Sequence, residues 1–178
     1  ELKRAVETYG LKGLKLHPAM QNYPMTHPSM NTITEKCIEL DIPILIHTGI
    51  INARTARIAY CDSLPIDDLA IRYPEAVFVI AHGDPLGKDP AMVCKHPNVY
   101  LDTTGTFARY VNMLPSVAPM CYKRMRKSDR IVFGTDANPL NAVSRIEDNI
   151  IPLRSMPVSD EDKRLLFCDN AKRLLKMQ

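Results

Sequence analysis

The stretch Ile42-Pro43-Ile44-Leu45-Ile46-His47-Thr48-Gly49 decides the reading of the fold. Pro43 ends whatever precedes it, and Ile44, Leu45 and Ile46 form a short apolar run with no polar alternation. Such a run suits a strand buried on both faces, as in a parallel sheet packed between helices. It stops on a histidine, a threonine and a glycine. An imidazole at the carboxyl end of a buried parallel strand stands where α/β sheets and barrels place their chemistry. Taken alone, His47 reads equally well as a structural residue bonded to a neighbouring carbonyl. The functional reading depends on recurrence.

The pattern recurs along the chain. Residues 11–16 form a strand ending in His17-Pro18, and residues 76–81 form another ending in His82-Gly83-Asp84. Residues 99–101 run into Asp102-Thr103-Thr104-Gly105, and residues 130–133 into Gly134-Thr135-Asp136. Helical spacing of apolar residues predicts helices over 1–9, from Ser29 or Asn31 to Leu40, and over 63–73 and 90–95. A further helix over 107–126 is predicted to break or kink at Pro115 and Pro119. Others are expected over 139–150 and 159–168, the latter capped by Ser159, and a last one opens at Asp169-Asn170. Residues 19–28 read as a loop, and residues 48–62 as a long connection with a short turn near 52–55. Five repetitions of strand then helix are the signature of a parallel sheet with right-handed crossovers. No low-complexity linker divides residues 1–178, so one structural unit is expected.

Composition narrows the function. Among 178 residues, 46% are hydrophobic and 24% charged, ordinary values for a globular chain. A net charge of +3 does not argue for nucleic acid, and Lys123-Arg124-Met125-Arg126-Lys127 reads as a solvated helix end. Cys37, Cys61, Cys94, Cys121 and Cys168 are odd in number and lack CxxC spacing, so neither structural zinc nor a disulfide framework is indicated. Neither a signal peptide nor an apolar run of membrane-spanning length is present, and the expectation is a cytoplasmic protein with no membrane partner. The chain opens at Glu1, without an initiator Met and inside a predicted helix, which reads as a fragment, a processed chain or a trimmed one.

In a parallel sheet all carboxyl ends lie on one side, so His17, His47, His82 and Asp136 converge. Two neutral imidazoles and a carboxylate suit a divalent ion such as zinc, which lowers the pKa of bound water to roughly 7. A neighbouring carboxylate or imidazole can then take and return the proton.

The succession GLKGLKLHP, IPILIHTG, FVIAHGD, NVYLDTTG, RIVFGTDANP and NAKRLL resembles the amidohydrolase superfamily, and within it the group related to aminocarboxymuconate-semialdehyde decarboxylase. The resemblance implies a TIM (β/α)8 barrel, metal-dependent hydrolase or decarboxylase chemistry, and a small-molecule substrate. It implies that His47 is the metal ligand of the family's fifth strand. His82 matches the sixth-strand His, a second ligand or a proton shuttle. Asp136 matches the eighth-strand Asp, which touches the metal and handles the proton. Lys15 and His17 then fall at the fourth strand as substrate contacts, with a solvent-facing or salt-bridged lysine as the alternative for Lys15.

The family's first-strand His-x-His does not occur; the histidines are His17, His27, His47, His82 and His96. The chain therefore reads as the C-terminal five βα units of the barrel. Two edges would be unpaired, and Leu14, Val99 and Tyr100 do not suit an exposed edge. An N-terminal portion or a homo-oligomer partner is expected to complete the barrel. The leading expectation is a metal-dependent hydrolase of a small carboxylic, lactone, amide or ester substrate, with zinc the first choice of divalent metal. The alternatives are a non-oxidative decarboxylase on the same scaffold and a catalytically silent fragment with a structural role. Arg54, Arg57 and Arg109 follow strand ends and read as surface salt-bridge residues, with bidentate carboxylate binding as the functional alternative. Cys61 and Cys121 read as buried thiols, and His96 as a turn residue.

Overall fold

The apolar runs become strands, and the first four end on, or one residue before, the polar group that the sequence singles out. The computed structural model describes residues 1–177. Strands β1 (Leu14–Leu16), β2 (Ile44–His47), β3 (Phe78–Ala81), β4 (Val99–Asp102) and β5 (Ile131–Val132) make one sheet. Every neighbouring pair is parallel, and order in the sheet equals order in the sequence. A doubly wound open sheet reverses its strand order somewhere, whereas a (β/α)8 barrel never does. The strictly sequential order is that of five consecutive βα units of barrel type.

Helix α1 (Leu2–Glu7) precedes the sheet, and α2 (Pro18–Gln21) and α3 (Ser29–Glu39) follow β1. Single helices, α4 (Leu64–Arg72) and α5 (Asp89–Lys95), connect the next strands. Then come α6 (Thr106–Met113) and α7 (Val117–Met125) before β5, and α8 (Ala142–Arg154), α9 (Asp160–Arg164) and α10 (Asn170–Leu174) after it. The register aligns Ile44 with Phe78 and Phe78 with Val99, and it aligns Ile46, Ile80, Leu101 and Ile131. All of these are fully buried. They meet Ile66, Phe107, Val117 and Met125 in one apolar cluster. Burying each such side chain is worth about 1.5–3 kcal/mol, so this face holds the fold together.

Several sequence expectations need correction. The stretch 19–28 is not all loop: Pro18 takes the first helical position of α2, where its missing N–H costs nothing, and His17 caps it. The chain breaks at Pro115 as expected, but Pro119 sits in the first turn of α7, where its N–H would have no intrahelical acceptor. The expected strand over 130–136 pairs only at Ile131–Val132, and residues 133–136 leave the sheet. Val99 and Tyr100 lie on an interior strand; the sheet's edges are β1 and β5. Asn170 does not cap the last helix. It is fully buried and donates to the carbonyls of Ser128 (2.8 Å) and Ile131 (2.7 Å), tying α10 beneath β5. Ser159 does cap α9, its Oγ accepting from the Asp162 N–H at 3.1 Å.

Candidate active site at the carboxyl ends of the strands

Three strand ends bring three imidazoles together. The His47 ring stacks on His17 with centroids 3.7 Å apart and meets His82 edge-on at 4.8 Å. His47 is 7% exposed, and its Nε2 is buried without a hydrogen-bond partner among the described residues. Burial first, then the charges of His17, His82 and Lys15, push its pKa down to about 4. The ring is therefore neutral at pH 7, with a ring nitrogen unspent. A buried polar atom left unpaired costs free energy, and such atoms mark places where a partner is to be bound. A neutral imidazole nitrogen is the donor that a divalent metal takes. His47 fits that role on its own geometry. Among the described residues no three His, Cys, Asp or Glu side chains converge as a ligand set, so the chain presents part of a coordination shell.

His82 stands in a cradle built by the next strand. Its backbone N–H donates to Asp102 Oδ1 at 2.9 Å, and its Nδ1 lies 3.3 Å from the Thr104 carbonyl. A carbonyl can only accept, so Nδ1 is the donor in this contact, and in the neutral tautomer it selects, the lone pair lies on Nε2. Asp102 Oδ1 also accepts from the Thr104 N–H at 2.8 Å, which fixes the acceptor itself. The cradle holds a cost: His82 has φ of 59°, in the left-handed region. Asp136 has φ of 52°. Non-glycine residues there cost of order 1–3 kcal/mol when poorly accommodated, and they cluster at functional sites. A glycine follows His82 directly and another stands two residues before Asp136, and neither has room for a side chain. A Cβ on Gly83 would lie 2.2 Å from Leu101 Cγ, and one on Gly134 2.4 Å from Thr104 Oγ1.

Two cavities meet at His82 and Asp136, each of which lines both. One, of about 410 Å³, has Lys15 and Asp102 at its polar end and Leu45, Val79, Phe133 and Leu174 along its walls. Burial lowers the pKa of Lys15, while the charges of Asp102 and Asp136 act in the opposite sense. No carboxylate lies within ion-pair distance of Lys15 among the described residues. The second cavity, of about 420 Å³, is lined by His47, Asn52, Arg109 and Arg145 besides His82, Asp136 and Thr104, which line both. His17 joins the imidazole cluster, but its Nδ1 accepts from the Met20 N–H at 3.3 Å and caps α2.

The family model for amidohydrolases matches residues 1–177. The chain belongs to the amidohydrolase family. No curated protein matches the sequence. Among solved structures, 2,6-dihydroxybenzoate decarboxylase bound to 2,6-dihydroxybenzoate superposes with a TM-score of 0.71 at 16% identity, over 99% of this chain and 66% of that one. The 5-carboxyvanillate decarboxylase of Novosphingobium aromaticivorans, complexed with manganese and 4-hydroxy-3-methoxy-5-nitrobenzoic acid, gives 0.73 at 15%, covering 98% and 59%. The 4-oxalomesaconate hydratase of Rhodopseudomonas palustris gives 0.66 at 20%, covering 98% and 58%. At these identities the likeness is one of fold. This amidohydrolase chain spans about three fifths to two thirds of the length of those structures.

Other residues singled out in the sequence lie elsewhere. Cys61 and Cys121 are buried, and burial pushes the Cys121 thiol up to about 12. His96 is more than a turn residue: it is buried, with Nε2 2.5 Å from Asp67 Oδ1. Arg57 lies over the Tyr60 ring at 5.9 Å and makes no salt bridge among the described residues. The contributions of Asp102, Asn149 and Arg145 were missed. Asp102 had a signal in its strand-end DTTG; the other two lie in α8 with no local pattern that singles them out. No helix among the described residues is long and apolar enough to cross a membrane.

Proposed function

We propose that this chain carries the site of a metal-dependent amidohydrolase that hydrolyses a small carboxylic, lactone, amide or ester substrate. The observation that supports this most is the buried, unpartnered Nε2 of a neutral His47, at the end of a parallel strand and against His82. His47 and Asp136 would hold the divalent metal, zinc by donor chemistry, with His82 beside them. When bound, the metal would supply Lewis acidity toward water and a substrate carbonyl.

The remaining steps fall to the chain's own side chains. Asp136, a carboxylate at the junction of the two cavities, accepts a proton as a water attacks. His82, held by the Thr104 carbonyl with Nε2 unprotonated, takes a proton and returns it to the leaving group. Lys15 and His17 contact substrate from the β1 side, Lys15 countering charge in the apolar cavity. Metal content measured by atomic spectroscopy on the purified chain and on His47→Ala tests the proposal. A content that His47→Ala leaves unchanged would sink it.

Non-oxidative decarboxylation is the second reading, and one observation favours it. The walls of the 410 Å³ cavity are apolar beside a proton carrier, which suits an aromatic or unsaturated acid that must be protonated at carbon. Two structures of like fold are named as decarboxylases of hydroxylated or methoxylated benzoates. Product analysis for carbon dioxide separates the two reactions.

A further inference from the structure

The buried Asn149 connects two helices to one point. Its Oδ1 accepts from the Gly105 N–H at 2.8 Å, and its Nδ2 donates to the Arg145 carbonyl at 2.7 Å. Its side chain is 1% exposed, so its amide is committed to these two partners. Gly105 has φ of 62° and opens α6, accepting the first helical bond from the Arg109 N–H at 2.9 Å. Arg109 stands one turn beyond Gly105 on α6, and Arg145 one turn before Asn149 on α8. The bond between Gly105 and Asn149 ties together the two helices that carry these arginines, and both arginines line the 420 Å³ cavity along with His47, His82 and Asp136.

Neither guanidinium has an ion-pair or side-chain hydrogen-bond partner among the described residues, although this chain pairs many of its other cations. Asp136 is the one carboxylate lining that cavity, so its charge is outnumbered. Arg109 is exposed and Arg145 half-buried; two forked donors that line one cavity and have no internal acceptor suit a planar oxyanion.

We propose that Arg109 and Arg145 form a carboxylate-binding pair, holding a small carboxylic acid beside the histidine cluster. This deepens the proposed function and rests on it for the claim that the bound acid is a substrate. Binding itself is independent of any metal.

The test is a titration of the full chain with benzoate in the presence of chelator, followed by calorimetry or by the Arg Nε–H resonances. Inorganic phosphate at matched ionic strength is the second probe. The expected result is saturable, salt-sensitive benzoate binding, weakened at least about tenfold by Arg109→Gln and by Arg145→Gln. Arg54→Gln, outside both cavities, should leave it unchanged. Benzoate binding unaffected by either cavity variant would overturn the proposal, as would phosphate binding as tightly as benzoate. A chain that binds benzoate in this way but retains no metal would instead count against the proposed function alone.

Discussion

The two faces of the sheet are built from the same strands and behave differently. On one face Ile44, Ile46, Phe78, Ile80, Val99, Leu101 and Ile131 are all fully buried beneath helices. On the other, the row Lys15–Leu45–Val79–Tyr100 is polar at one end, and Leu45 and Tyr100 are only half-buried. Two residues on, toward the strand ends, the second face carries His47 and Asp102. The sealed face supplies the stability, and the open face presents the chemistry. The difference teaches that the strained and unpartnered groups of the site, His82, Asp136 and the His47 Nε2, rest on a rigid layer that uses none of its own polar groups.

The contrast can be broken by truncation. Phe78→Ala on the sealed face should cost about 3–5 kcal/mol in urea unfolding, because it leaves a cavity among buried neighbours. Leu45→Ala on the open face should cost about 1 kcal/mol, since less of its surface is taken from water. Equal losses would erase the distinction. Asp102→Ala should cost about 1–3 kcal/mol by stranding the His82 and Thr104 amides, with Asp102→Asn milder because an acceptor oxygen remains. The same variant should scramble the His82 tautomer in nitrogen-resolved NMR spectra; an unchanged His82 would remove Asp102 from the site. The smallest effect sharpens the picture at the thiols. Burial raises Cys37 to about 11 and Cys121 to about 12, so both stay protonated, and the thiolate is the reactive form. Exposed Cys168 should be alkylated first at pH 8, with Cys37 and Cys121 protected until the chain unfolds.

Much of this architecture was legible in the sequence. Unbroken apolar runs such as 44–46 and 78–81 read as strands of a parallel sheet, and their endings in His47 and His82 put the site in view, although Leu45 proves only half-buried on the open face. Parallel pairing was legible too, because alternation with helices forces parallel crossovers, whereas the sequential strand order followed only from the family resemblance. Residues whose role is set by tertiary partners were not legible. Asn170 looks like a helix cap in sequence, yet its amide bonds two carbonyls far along the chain. Pro119 looks like a break, yet its place in the first turn makes it harmless. Asn149 carries no local signal at all, since its meaning comes from Gly105 on another helix.

The central claim is that His47 offers its buried nitrogen to a metal. Titrating the full chain with zinc, and separately with manganese, by calorimetry tests it most directly. The account predicts one ion per chain, bound weakly because few donors converge, and weakened at least about tenfold in His47→Ala. Equal binding by the native chain and His47→Ala would contradict it.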